Sequence, residues 1–469
     1  MIILGTNSIK DTGFDVANSL RFNSGSSDYL NNTSVDPVTN RLKFTISLWV
    51  KRSTLGAKSM IGTVGGDSSN FGAIWFDSSD RLNCTEGSGG GTLNFITNRV
   101  FRDVSAWYNI ILAIDTTQGT ESNRVKIYVG GVQETSFSTS TYPSQNSNMH
   151  LNRGGKTQYI GRHTDSSNNY YFDGYMTEVV WVDGSQEAVT SFGEFDSDSG
   201  IWKPIDVSGL TFGNNGFYLD FEDSSALGND AAGSNNFTVN NLTAIDQSTD
   251  TCTNNSATIG TLFMALNTPT FSEGNLQSYS SAAGLSVIPS SIGLASGKWY
   301  AELKYAATSS NDNTGIGITM DPASSNQENT EQGGYTFGYA ASTGGYTPYQ
   351  ANQSGSGPTY TVGNIMGIYM DLDNMKLYFS KNGTLNSSTG LTINVSNTGF
   401  YYFCVQDYTS TSNFWTWQWN FGAGCPFAIS SGNTDANGYG NFEYSPTITG
   451  DGASKDFFAC NTKNLSEYG

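Results

Sequence analysis

Carboxylates come first, because two of them on one face can share a proton or hold a cation. The run Glu194-Phe195-Asp196-Ser197-Asp198 alternates acidic with neutral residues, so a strand there would set three carboxylates on one side. Such a pair of acids is what glycoside hydrolysis requires. The run lies in a Gly/Ser-rich stretch, however, and reads as a solvated acidic turn. Calcium asks for six to eight oxygens from an acidic loop. Asn433-Thr434-Asp435-Ala436-Asn437-Gly438 has that rhythm, with Asp435 and Asn437 as candidate ligands, although Tyr444 occupies the position where a closing carboxylate belongs. Asp196 with Asp198, or Asp371 with Asp373, are further candidates. No cofactor is expected; a structural calcium ion is left open. The two histidines, His150 and His163, both fall in polar stretches that read as loops, so neither a Ser–His–Asp system nor a histidine metal site finds support. No catalytic residue is assigned, and the chain is not expected to be an enzyme.

Aromatic residues offer recognition instead. Tyr335, Tyr339, Tyr346 and Tyr349 stand among glycines in residues 334–350, a pattern suited to stacking on sugar rings or meeting a flat protein partner. Trp415, Trp417 and Trp419 alternate, which puts three indoles on one face of one strand. That face should be a core, but three indoles are bulky for one, so Trp415 is carried as a ligand-binding candidate at its rim. The five cysteines have no metal-type spacing and read as isolated buried thiols, with a Cys404–Cys425 or Cys425–Cys460 bridge left open.

The elements that must position these residues are strands. Gly 54, Tyr 25, Phe 27 and Trp 9, amid abundant Ser, Thr and Asn, describe an all-β chain with many turns, and 469 residues are enough for two cores. Only 13% of residues are charged, against roughly a quarter in ordinary domains, so hydroxyls and amides carry solubility. The net charge is −19, from 41 acidic and 22 basic residues, which argues against a nucleic-acid partner. No apolar run approaches the roughly 20 residues that would span a bilayer, so no membrane insertion is expected. The opening MIILGTNSIKDTGFD lacks a basic n-region and a cleavage site, and is expected to begin the mature chain.

Alternation is regular. In residues 44–51, Phe44, Ile46, Leu48 and Val50 share one face; in 107–115 the inward set is Tyr108, Ile110, Leu112 and Ile114; in 297–305 it is Trp299, Ala301, Leu303 and Tyr305. Two hairpins read alike, VKIYVGGV at 125–132 and MKLYFSKNGT at 375–384, each closed by a glycine turn.

In this order, SLRFN (19–23), FTISLWVK (44–51), WYNIILAID (107–115), VKIYVGGV and YIGR…YYFDGYMTEVVWVDG (159–184) resemble the laminin-G-like branch of the concanavalin A-like lectin/glucanase superfamily. Laminarinase-type glucanases of that superfamily carry an E-x-D-x-(x)-E triad; at 194–198 the third acid is Asp, and the segment lies beyond the last landmark strand. Further on, GKWYAELKY (297–305), GIGIT (315–319), the DLD…YFSKNGT hairpin (371–384) and NFGAGCPF (420–427) resemble the SPRY domain, a sandwich used mainly in protein recognition. Residues 194–255 and the tail KDFFACNTKNL look like connectors and ends of structural proteins of tailed bacteriophages, especially marine ones, so the chain is expected to be complete.

The expected architecture is two tandem antiparallel β-sandwiches: an arm at 1–16, a laminin-G-like domain at 17–245, a linker at 246–262 and a SPRY-like domain at 263–469. The resemblance implies a virion surface protein, either a tail fibre or a head fibre or capsid decoration. Such a protein would contact other virion proteins, form homo-oligomers and bind a host-surface glycan or protein. A purely structural virion component is the alternative, and a polysaccharide depolymerase the less favoured one.

Overall fold

A computed structural model describes residues 13–64, 71–87, 92–164, 169–262, 264, 269–281, 284–309, 314–323, 336–340, 346–347, 359–396, 398–409, 414–449 and 454–469. The chain is nearly all β, with one short α-helix, Thr462–Tyr468, among the described residues. It divides into two compact units, up to Asn254 and from Asn255 onward.

The first unit is a sandwich of two antiparallel sheets. One runs in the spatial order Val132–Gln133, Val125–Val129, Trp107–Asp115, Lys43–Arg52, Gly174–Asp183, Ser19–Phe22, Gln247–Ser248. The other runs Phe137–Thr141, Leu93–Val100, Arg81–Glu86, Phe71–Phe76, Lys58–Val64, Thr157–Ile160, Tyr29–Thr33, Thr238–Asn240. Phe44, Ile46, Leu48 and Val50 from the first sheet meet Leu30, Ile61, Ile74 and Phe95 from the second, so alternation has built the core as expected. The turn Gly130-Gly131 has positive φ at both residues, 56° and 77°, the geometry a two-residue hairpin needs. Gly131 also lies against Trp202, whose ring would be 2.2 Å from an added Cβ.

The opposite face of the first sheet is not solvent-exposed, although Thr45, Ser47 and Lys51 suggest water there. Trp49, Trp107, Tyr175, Trp202 and Cys252 cluster on it, and Ile111, Val180, Phe192, Val207 and Tyr218 form a second cluster beside them. The segment after Asp183 wraps back over that face, and its strand Phe217–Leu219 pairs with Gly174–Asp183. Lys51 is consequently buried and ion-paired to Asp250 at 2.7 Å, while the Trp107 indole N–H donates to the same carboxylate at 3.1 Å. The stretch 246–262 is therefore not a tether. Asp246 pairs with Arg21 at 2.9 Å and Gln247–Ser248 adds a strand edge to Ser19–Phe22. From Asn255 the chain belongs to the second core, where the Asn255 amide donates to Thr462 Oγ1 and Ile259 is fully buried. Of the expected arm, residues 1–12 lie outside the described set; Val16 is buried beside Trp49 and donates its amide to Thr253.

The second unit is also a sandwich. One sheet runs Thr270–Ser272, Gln277–Ser280, Trp415–Asn420, Lys298–Thr308, Ile365–Asp371, Lys376–Lys381, Thr384–Leu385; the other runs Gly284–Pro289, Tyr402–Thr409, Thr314–Thr319, Thr336–Ala340, Tyr346–Thr347. Trp299, Ala301, Leu303 and Tyr305 face Ile316, Ile318, Phe403 and Val405 across the core. All five cysteines are free and buried, so the two disulfides left open by the sequence are not formed.

Candidate functional site

Burial decides the tryptophan question. Trp415 is 2% exposed, Trp417 and Trp419 are fully buried, and Trp417 stacks on Tyr305 at 4.6 Å. Two indole N–H groups have buried partners, Thr314 Oγ1 at 3.1 Å and Ser278 Oγ at 3.3 Å. Trp415 is thus a core residue with no ring face open to a ligand, which corrects the sequence expectation; the sandwich interior accommodates all three. Of the four tyrosines, Tyr335 and Tyr349 lie outside the described residues. Tyr339 and Tyr346 pair backbone to backbone across a hairpin, and their side chains too lie outside the description.

Asp435 and Asn437 are corrected as well. Asp435 Oδ1 accepts from the amides of Asn437 and Tyr439, both at 2.9 Å. Its Oδ2 accepts from the Ala459 amide at 2.9 Å and Asn464 Nδ2 at 2.8 Å. A carboxylate offers about four lone-pair positions, and here protein donors fill them. Asn437 Nδ2 donates to Asn464 Oδ1. The calcium-like rhythm is a clamp that fastens a turn to the C-terminal helix. No cluster of three or more His, Cys, Asp or Glu residues suited to a metal occurs among the described residues.

The acidic run at 194–198 forms a tight hairpin end. Asp196 Oδ1 accepts from the Ser199 amide and hydroxyl at 2.8 and 2.7 Å, which holds this carboxyl below its ordinary range. Lys203 lies 3.3 Å from Glu194 and 3.8 Å from Asp196. A general acid needs its pKa raised, and at Asp196 the serine hydrogen bonds do the reverse. His163 is on the strand Arg162–Thr164 instead of a loop, 7% exposed and packed against Phe71 and Tyr170.

Two features that sequence reasoning missed lie on the strand pair Tyr29–Thr33 and Thr157–Ile160. Leu30 and Ile160 point into the core, so Tyr29, Asn31 and Tyr159 face outward. The short hairpin Arg162–Thr164/Asn169–Tyr171 adds Arg162 and Tyr171. The Arg162 guanidinium lies 4.7 Å from the Tyr29 ring, 4.9 Å from Tyr159 and 5.5 Å from Tyr171. All three tyrosines are half-buried, and Asn240 Nδ2 donates to Asn31 Oδ1 at their side. Aromatic edges, phenol hydroxyls, a guanidinium and amides thus share one sheet face, a composition fitted to polyhydroxylated ligands.

At the end of the same strands lies a cleft of about 680 Å³ between residues 36–42 and 148–156. Arg41, Arg153 and Lys156 line it, with Asp36 as the acidic residue of the lining. Its loops are fixed from behind. Buried Asp183 accepts from the amides of Thr39 and Asn40 on one loop and from Asn152 Nδ2 on the other, at 2.6, 3.0 and 2.6 Å. Ser34 Oγ lies 2.8 and 2.9 Å from the carbonyl oxygens of Arg153 and Lys156, either of which can take its one hydrogen, and accepts from the Lys156 amide. Glu86, fully buried, accepts from the amides of His150 and Leu151, and burial pushes its carboxyl up to about 7. An added Cβ at Gly154 would meet Val35 O at 2.8 Å, so only glycine lets the loops approach this closely. The outward parity of Tyr29 and Tyr159 was legible in the sequence; their register was not.

Residues 24–188 match the family model Laminin_G_3, described as the concanavalin A-like lectin/glucanases superfamily. No curated protein matches the chain. Among solved structures, the SPRY domain of human HERC1 is similar at 15% identity and TM-score 0.25, covering 31% of this chain and 87% of that one. A putative carbohydrate binding protein from Bacteroides ovatus is similar at 17% and 0.35, covering 48% and 59%. The heptameric SAP-like pentraxin of Limulus polyphemus is similar at 13% and 0.32, covering 49% and 94%. None of these likenesses is strong enough to pass a ligand or an assembly state to this chain. The lectin-like sandwich of the first unit rests on the family match.

Proposed function

We propose that this chain is a non-catalytic, carbohydrate-binding surface protein of a tailed-bacteriophage particle, a tail fibre or a head fibre or decoration, that binds glycan on the host surface. The observation that carries the binding reading is the outward face on which Tyr29, Tyr159 and Tyr171 surround Arg162 beside Asn31 and Asn240. The family match over residues 24–188 supports a lectin-like unit, and the phage-type connector and tail in the sequence support the virion reading. Partners under this reading are other virion proteins and further copies of the chain.

Purified chain on an array of bacterial surface glycans should bind, and Tyr29→Ala with Tyr159→Ala should lose that signal while melting as the parent does. An array with no bound glycan, or a double variant that binds unchanged, removes the reading. Reducing ends released from a bound polysaccharide would make the protein a depolymerase. Antibody labelling of intact particles tests the virion assignment separately.

A further inference from the structure

We propose that the Arg41–Arg153–Lys156 cleft is a subsite for the anionic group of an acidic polysaccharide, one bearing uronate, sulfate or phosphate. Its neighbouring sugars would rest on the Tyr29/Tyr159/Tyr171 face. The inference builds on the glycan-binding reading and adds the charge class of the ligand.

Unneutralised charge is the first argument. The chain has 41 acidic and 22 basic residues, and several cations elsewhere in the first unit are paired, as in Arg21–Asp246, Lys51–Asp250, Arg52–Asp80 and Arg99–Glu134. In the cleft, Arg41 donates Nε and Nη2 to the Met149 carbonyl, at 3.1 and 2.9 Å. The Arg153 and Lys156 side chains make no hydrogen bond or ion pair among the described residues. On the lining itself three cations stand with one carboxylate, Asp36, while Asp183 and Glu86 lie behind the loops and turn their oxygens to backbone and amide donors. Burial and the adjacent Arg153 both lower the Arg41 pKa, partly offset by Glu86 behind the loop.

Preorganisation is the second. Asp183, Ser34 and Glu86 fix both loops by hydrogen bonds before any ligand arrives, so little ordering remains to oppose binding. Continuity is the third. Lys156, paired with Ser34 just before the strand Thr157–Ile160, precedes Tyr159 by three residues, about 10 Å at strand rise; the odd spacing gives it the core-side parity at the end of the sandwich, so a polysaccharide reaching both passes around that end.

The test uses the full chain with three probes: dextran sulfate, neutral dextran and inorganic sulfate. The parent should bind dextran sulfate more tightly than dextran, with affinity falling as salt is added. Arg153→Gln with Lys156→Gln should weaken dextran sulfate binding roughly tenfold and flatten its salt dependence, leaving dextran binding unchanged. Tyr159→Ala should weaken both polymers. Inorganic sulfate should raise the melting temperature of the parent and not that of the Arg153/Lys156 variant. Unchanged dextran sulfate binding by that variant overturns the cleft assignment while leaving the tyrosine face standing. Sulfate stabilisation of the parent alone, with neither polymer bound, overturns the glycan reading and leaves an anion site. No response to any probe overturns both.

Discussion

Asp435 gives the sharpest test of how the second unit is held together, because its carboxylate could have served either an ion or the chain. Asp435→Ala removes four accepted hydrogen bonds at once. Two of them, from Asn437 and Tyr439, belong to the turn, where water can take over much of the loss. The other two come from the Ala459 amide, at a residue 1% exposed, and from the amide side chain of fully buried Asn464. Each stranded buried donor costs about 1–3 kcal/mol. With something left over for the turn, the expected loss is about 3–5 kcal/mol for the unit beginning at Asn255. Asp435→Asn, which keeps one acceptor, should lose roughly half as much. Urea denaturation followed by tryptophan fluorescence measures the change, and hydrogen exchange at the Ala459 amide and along Thr462–Tyr468 localises it. A loss below about 1 kcal/mol refutes the clamp. So does calcium that raises the melting temperature of the parent and not of the variant, since the carboxylate would then serve an ion.

Glu178, at φ 50° within the irregular pairing of Gly174–Asp183, is pushed up to about 8 by burial, opposed by the hydrogen bond from Tyr218 Oη at 2.8 Å. A carboxyl raised on folding stabilises fully below its ordinary value near 4.5, and that stabilisation is lost as pH climbs through about 8. Glu178→Gln should therefore flatten part of the decline in urea midpoint across that window; an identical pH profile would rule the idea out. Lys51→Met leaves Asp250 buried without its cation and should cost about 3–5 kcal/mol, with partial recovery on adding Asp250→Asn, read by chemical denaturation. Gly131→Ala forces a Cβ to within 2.2 Å of the Trp202 ring at φ 77° and should lower stability by about 1–3 kcal/mol in a melting experiment.

Much of the fold was legible in the sequence because strand alternation is local. Phe44, Ile46, Leu48 and Val50 had to share a side whatever they packed against, and Trp299, Ala301, Leu303 and Tyr305 likewise. The Gly130-Gly131 turn announces its hairpin through the positive φ it must adopt. Polar identity misled where burial came from far along the chain: Lys51 reads as a solvent-facing residue, yet Asp250, 199 positions later, covers and neutralises it. The apparent linker around residue 250 was buried for the same reason. The acidic rhythm at 433–438 read as a candidate calcium loop, but donors from Ala459 and Asn464, far along the chain, take the Asp435 carboxylate instead.

What the sequence determined by itself is the all-β class, the two-sandwich plan and the composition of each strand face, since these depend on period and turn chemistry within a few residues. Tertiary structure alone decided the candidate site. Tyr29 and Tyr159 are 130 positions apart, and Arg41 is more than a hundred from Arg153; they meet because antiparallel pairing of Tyr29–Thr33 with Thr157–Ile160 fixes one register and carries both flanking loops to the same end. The carboxylates at 194–198, read as a solvated acidic turn, do sit in a turn beside a lysine, while the candidate binding face assembles from residues that no local pattern joins. Side-chain type is written in the chain, but which side chains converge is set by long-range backbone hydrogen bonds, and those exist only in the folded state.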